Sequence, residues 1–169
     1  MGIDASRRLA LACATCLGAG YVPIAPGTAG SALALPAAWG LAQLGGNWAV
    51  LGGAAAATLV GLWAARVAEA HFDRHDSPHI VVDELAGQLV SVLLVPCTVP
   101  NLIVAFGWFR LFDSVKPWPA GWVDRNVGGA LGVMLDDIAA GGYAALTTAL
   151  LFHLGVVELG LAFLGRLFS

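Results

Sequence analysis

The amino-acid sequence predicts an all-α protein: a compact multi-helix integral membrane bundle with short or broken helices joined by polar connecting loops. Three observations carry this reading. The 169 residues are 59% hydrophobic and 11% charged, with a mean hydropathy of +0.81, whereas a soluble domain carries about 25% charged residues. Charge is segregated along the chain: no Asp, Glu, Lys or Arg occurs from Leu9 to Ala65, and nine of the eleven acids fall between Glu69 and Asp137. As a helix, the charge-free run 48–65 would span about 27 Å, close to the hydrocarbon thickness of a bilayer. The length suits one domain over 1–169. A net charge of −3 without a basic stripe argues against a nucleic-acid partner.

Taken in order, Leu9–Tyr21 is a short apolar stretch after Arg7 and Arg8. It has the look of a secretory leader but no small-x-small cleavage site before a polar mature sequence, so it reads as a retained segment. Cys13 and Cys16 form a C-x-x-C with no second pair at zinc-ribbon spacing, and their small apolar neighbours mark buried, inert thiols. Pro23, Pro26, Gly27 and Gly30 make 22–30 a loop, with Ser31 as N-cap of a helix over 32–44. LGGN at 44–47 is a stop, and a second helix runs from Trp48 to about Ala70.

HFDRHDSPH (71–79) is a polar connector. His71, His75 and His79 are spaced as on a zinc-binding face, but Pro78 interrupts a regular helix, and the expectation is a solvated linker. A third helix begins near Ile80, runs through 85–95 and stops at Pro96; PCTVP is a turn. Another spans 101–115 and ends at Pro117 and Pro119, with WPAGWVDRNVGGA as a loop. Asp136 and Asp137 then open the last helix, which runs to about 157 and amphipathically on to 168 (137–168). Residues 32–44 and 85–95 are each too short to cross a bilayer, so two to four crossings are expected. The basic clusters at 7–8, 66–74 and 110–125 share one side of the membrane only if hairpins separate them.

Four polar patches interrupt this apolar frame. Pro26-Gly27-Thr28-Ala29-Gly30-Ser31 combines close backbone approach, hydroxyls and a helix start, which suit a phosphate; a turn with an N-cap explains it equally. Asp76, Asp83 and Glu84 flank a helix start, where a helix dipole also favours acids. Asp113 and Lys116, three apart after Arg110, are expected to pair. Asp136 and Asp137 stand side by side. At roughly 6 Å and an effective dielectric near 20 they repel by about 2–3 kcal/mol, so water, a basic side chain or a cation has to offset them. Ala140 and Gly141 on the same faces leave room for a close helix neighbour or an ion. Asp83, Glu84, Asp113, Asp136 and Asp137 form the oxygen-rich set that hard divalent cations such as Mg²⁺ prefer. A small membrane ion transporter is the alternative, since carboxylates within apolar helices also mark ion pathways. Against it stand the short chain, the lack of an inverted repeat and the placing of acids at helix ends.

The segments APGTAGSALALP (25–36), HDSPHIVVDELAGQ (75–88), FRLFDSVKPWP (109–119) and DRNVGGALGVMLDDIAAG (124–141) together resemble one family, phosphatidylglycerophosphatase A, in the family's order and over about 21–142. The resemblance implies a helical, Mg²⁺-dependent, multi-pass enzyme of the bacterial inner (cytoplasmic) membrane, its site facing the cytoplasm. Its substrate would be a phospholipid, phosphatidylglycerophosphate, cleaved to phosphatidylglycerol and phosphate. It points to Thr28, Asp76, Asp83, Glu84, Arg110, Asp113, Lys116, Asp136 and Asp137; HDSPH shifts the proline one place from the family's form. The expected metal ligands are Asp83, Glu84, Asp113, Asp136 and Asp137, and these with Lys116 are the expected catalytic groups. Gly27, Thr28, Ser31, Arg110 and Lys116 are expected to bind substrate. Direct attack by water, an aspartyl-phosphate intermediate and the oligomeric state are left open.

Overall fold

Pro26 starts the longest helical element. Its ring presets a helical φ and its missing N–H has no partner in a first turn anyway. In the computed structural model, which describes residues 4–73, 77–157, 159, 160 and 162, helix α2 therefore runs Pro26–Phe72. This corrects the loop expected over 22–30: Ser31 is not an N-cap but lies in the second turn, where its hydroxyl donates back to the Gly27 carbonyl at 2.9 Å. The stop at 44–47 is real. Gly45 and Gly46 leave helical geometry, with Gly46 at φ 60, and the helix folds back on itself. Ala34 and Ala38 of the outgoing arm share a buried cluster with Val50 and Ala54 of the returning arm. A Cβ at Gly53 would come within 2.4 Å of Leu41 Cδ1. The arms, 26–44 and 47–72, measure about 28 and 39 Å, so the outgoing arm is longer than the 32–44 expected. Among the described residues α2 is the helix long and apolar enough to cross a membrane.

Helix α1 (Ala5–Ala14) lies on the returning arm, with Ala14 packed among Ala64, Ala65 and Ala68. Cys13 and Cys16 pack against that cluster as free thiols. Burial, then the Asp83 charge, push the Cys16 thiol up to about 12; both thiols are half-buried, not fully buried as expected. The two described histidines of the connector, His71 and His79, have protein partners and are not simply solvated. His79 packs its ring on Tyr21 and Phe72, at 4.9 and 5.2 Å between centroids, and holds the Gly20 carbonyl at 2.9 Å. His71 accepts from the Arg7 guanidinium at 2.9 Å. His75 and Asp76 lie outside the described residues.

Helix α3 (Val82–Ser91) is shorter than the 80–95 expected and packs on both α2 and α6. Asn47, just past the α2 reversal, donates to the carbonyls of Leu93 and Val95 at 2.8 and 3.0 Å, pinning the turn that ends α3. Helix α4 (Val99–Val115) follows the PCTVP turn. WPAGWVDRNVGGA is not all loop: α5 (Ala120–Asn126) forms within it, begun at Pro119 and docked through buried Ala120 and Gly121. Helix α6 (Gly129–His153) starts seven residues before Asp136. The entry is made by glycine: Gly129 sits at φ 68, and a Cβ at Gly132 would lie 1.8 Å from the Val127 carbonyl. Asp136 and Asp137 thus stand two turns inside a helix, not at its mouth. At the other end α6 stops at His153 and helix resumes at 156–157 after a turn; most of the expected extension to 168 lies outside the described residues.

Candidate active site

Two glycines set the geometry of the polar centre. Helices α3 and α6 meet backbone to backbone at Gly87 and Gly141. A Cβ on Gly141 would fall 2.3 Å from the Gly87 carbonyl, and one on Gly87 would fall 2.6 Å from the Asp137 carbonyl. One helical turn before each glycine stands a carboxylate: Asp83 before Gly87, Asp137 before Gly141. The crossing therefore carries both acids into the interior, where they are 6% and 4% exposed. Asp83 Oδ1 has no hydrogen-bond partner there.

Glu84 leaves α3 on the adjoining face and reaches the first turn of α2. Gly27 makes this possible, because a Cβ there would sit 1.9 Å from Glu84 Oε1. The buried Ser31 hydroxyl lies 3.1 Å from Glu84 Oε2. The Arg110 guanidinium bonds that same oxygen, lies 3.1 Å from Asp113 Oδ2 and donates to Ser31 Oγ at 3.3 Å. Asp113 is thus paired with Arg110 and not, as its spacing predicted, with Lys116. The reason is the end of α4: Lys116 turns left-handed at φ 46, which swings its side chain off the α4 face. Its ammonium instead meets Asp124 Oδ1 and Asp136 Oδ2, each at 2.5 Å. Gly121 lets α5 approach that bend, since a Cβ there would be 2.3 Å from the Lys116 carbonyl, and Asp124 follows three residues on.

Glu84, Asp113 and Asp137 each place a carboxylate oxygen within 4.8 Å of the other two. Burial, then the Asp113 charge, push Glu84 up to about 7 against the pull of Arg110 and Ser31. Burial, then the Glu84 charge, hold Asp83 well above the usual carboxylate range. For Lys116 burial acts downward, but its bonds to Asp124 and Asp136 outweigh it and keep the ammonium above the usual lysine value.

All of these charged groups line one cleft of about 530 Å³, together with Gly27. Of the residues predicted from sequence, Asp83, Glu84, Arg110, Asp113, Lys116, Asp136 and Asp137 are brought together there. Ser31 stands behind Glu84, Thr28 does not line the cleft, and Asp76 lies outside the described residues. Two acids were missed. Glu69 comes from the far end of the returning α2 arm, and Asp124 from the short α5. A helix on 120–126 would have placed Asp124 back over Lys116. Among the described residues seven carboxyl groups face the cleft against two cations, Arg110 and Lys116. Such an excess is stable only with protons or added cations. The donors are all oxygen, three converge, and a fourth, Asp83 Oδ1, is buried and unpartnered. That set fits a hard divalent cation.

A family model described as phosphatidylglycerophosphatase A matches residues 12–152. The phosphatidylglycerophosphatase A of Escherichia coli (strain K12) is 35% identical over 144 residues, which cover 82% of this chain and 78% of that protein. A protein of Bacteroides thetaiotaomicron that carries the provisional name phosphatidylinositol-3-phosphatase is 38% identical over 142 residues, 80% of this chain and 88% of that one. The phosphatidylglycerophosphatase A of Haemophilus influenzae is 33% identical over 134 residues, 76% and 80% of the two chains. No solved structure matches.

Proposed function

The chain belongs to the phosphatidylglycerophosphatase A family and is a phosphatase; from that premise we propose that it hydrolyses the terminal phosphomonoester of phosphatidylglycerophosphate, giving phosphatidylglycerol and phosphate, with Mg²⁺ in the acidic cleft. One observation carries this reading: acids from α3, α4 and α6, distant in sequence, converge in a cleft that also presents one arginine and one lysine. A phosphomonoester dianion needs that combination, cations for its own oxygens and carboxylates for a metal.

Glu84, Asp113 and Asp137 would hold the metal, which when bound neutralises phosphate oxygens and lowers the pKa of a water. Arg110, whose Nη1 meets both Glu84 and Asp113, would bind phosphate oxygens through its remaining N–H groups. The Lys116 ammonium, kept charged by Asp124 and Asp136, would stabilise the negative charge that grows on the transferring group. Asp83, once its proton is displaced on metal binding, would accept the proton of the attacking water, since one of its oxygens has no other partner. Gly27 would let the phosphate approach the α2 backbone. Attack by a carboxylate, with a phosphoryl-enzyme intermediate, would use the same groups.

The membrane placing rests on the α2 hairpin and on bare apolar side chains such as Leu44, Trp48 and Leu59. We place the protein as multi-pass in the bacterial inner membrane. Arg7, Arg66, Arg110 and Lys116 near the cleft end would put that end in the cytoplasm. The ion-transporter alternative finds no support, since the named relatives are phosphatases.

The test is phosphate release from phosphatidylglycerophosphate by purified protein in detergent, with Mg²⁺ or with EDTA. Release with Mg²⁺ and none with EDTA is expected; no release under either condition overturns the reading. Phosphatidylinositol 3-phosphate is the comparison substrate, and equal rates on both lipids would widen the substrate class.

A further inference from the structure

A second cavity, of about 420 Å³, lies beside the polar cleft and is almost wholly apolar. Leu93 and Leu94, in the turn that ends α3, form one wall; Ala139, Gly142 and Leu146 of α6 form the other, and Pro119 closes one side. Leu94 and Leu146 are 50% and 62% exposed, so the cavity is an open groove.

The groove and the cleft share no lining residue but lie along the same helix, α6. Along α6, Asp136, Ala139, Tyr143 and Leu146 recur at i, i+3, i+7 and i+10, one face of a helix. Asp136 lines the cleft and the other three line the groove. From Asp136 to Leu146 the helix rises about 15 Å. The segment that carries Lys116 into the cleft carries Pro119 into the groove, and the Tyr143 hydroxyl donates to the Trp118 carbonyl, fixing that segment to α6. A ligand with its anion at Lys116 would extend from there along α6, over a stretch with no Asp, Glu, Lys or Arg from Ile138 to Val157.

Gly142 lines the groove for a reason unlike that of its neighbour. Gly141 is required by the Gly87 carbonyl, but a Cβ on Gly142 would meet nothing within 4 Å. Its φ is not left-handed either, so neither packing nor backbone calls for glycine, and glycine weakens a helix interior. Gly40, Gly52 and Gly107 are as open; what sets Gly142 apart is its place in a groove that a side chain there would fill.

We propose that this groove seats one acyl chain of the lipid whose phosphate binds in the cleft, so that the enzyme recognises its substrate as a lipid and not by headgroup alone. The inference rests on the phosphatase reading given above. The chain enters sideways from the bilayer and lies between α6 and the end of α3. Because a chain leaving a bilayer gains little from burial, the groove acts by orienting the phosphomonoester and not by adding hydrophobic affinity.

The experiment compares Gly142→Leu with the unaltered protein on two substrates with Mg²⁺: long-chain phosphatidylglycerophosphate in mixed micelles, and its deacylated, water-soluble counterpart. The expected result is a fall in kcat/KM of about tenfold on the lipid, with the deacylated phosphomonoester, which has no chain to seat, hydrolysed alike by both forms. Equal activity of the two forms on the lipid overturns the groove and leaves the phosphatase reading standing. A parallel fall on both substrates also overturns it, by showing damage to the cleft. No release by the unaltered protein from either substrate overturns both. An independent readout is photo-crosslinking with a lipid phosphomonoester bearing a diazirine in one acyl chain. Label concentrated on Leu94 and Leu146 over Leu59, relative to a phosphatidylcholine with the same chain, is expected; equal labelling of the three by the two lipids overturns the proposal.

Discussion

The two flanks of the cleft solve the same electrostatic problem differently. On one flank a single guanidinium spans Glu84 and Asp113 and is braced by Ser31. One nitrogen, Nη1, makes all three contacts, which leaves the other guanidinium donors for a ligand. On the other, a flexible lysine is stretched between Asp136, which is buried, and Asp124, which is 41% exposed. Between the flanks stand Asp83 and Asp137, fixed by the glycine crossing and facing no basic partner among the described ion pairs. The contrast separates two kinds of acid. Those at the flanks have cations supplied by the chain. Those in the middle have no such cation and depend on a proton or on a metal ion that Asp137 would share with Glu84 and Asp113.

The largest effect should therefore come from the middle. Asp137→Asn is expected to lower kcat on the order of 10³-fold while circular dichroism and detergent-exclusion volume stay unchanged. A variant that keeps more than a tenth of the activity would break the distinction between flank and middle.

The lysine flank ranks next and divides within itself. Lys116→Ala removes a charge aimed at the phosphate and is expected to reduce kcat/KM by about 10²-fold. Asp124→Asn leaves the ammonium tied to Asp136 and exposes the altered residue to water, so a loss of only a few-fold is expected. Equal losses would mean that Asp124 does more than steady Lys116. Steady-state kinetics on the lipid in mixed micelles reads both.

The smallest effect is on stability. Glu84 is pushed up to about 7 from the ordinary glutamate range, and Asp83 is raised in the same direction. The folded protein then binds protons more tightly than the unfolded chain, so the contribution is complete below the unfolded values and disappears as pH rises through about 7. In EDTA, Tm is expected to climb by about 5 °C as pH falls from 8 to 5. With Mg²⁺ the trend should reverse, because the ion competes with those protons. A flat profile in EDTA would show that burial and the neighbouring acids do not raise Glu84 and Asp83.

Much of this site was legible in the residues. The oxygen-only inventory, the four polar patches and the small residues after Asp136 and Asp137 all pointed to a close helix neighbour or a cation, and Gly141 does pack on a helix. What was illegible was non-local. Asp113 and Lys116 have the spacing of a helical pair, but the bend at Lys116 comes from the way the chain leaves α4. The start of α6 was hidden because Gly128 and Gly129 read as loop, although glycine is what permits the tight entry. Glu69 reaches the cleft only because α2 reverses, and a stop signal does not say in which direction the chain resumes.

That reversal has a consequence for how the chain tolerates change in length. Pro26 and Gly27 at one end of α2 and Glu69 at the other line the same cleft. One residue added between Asn47 and Glu69 would rotate everything after it by about 100° and turn Glu69 away. One added at Gly45–Gly46 would be absorbed by the bend and leave both arms in phase. The hairpin can therefore grow or shrink at its tip but not along its sides, and its arms are fixed in angular register by the chemistry at their base.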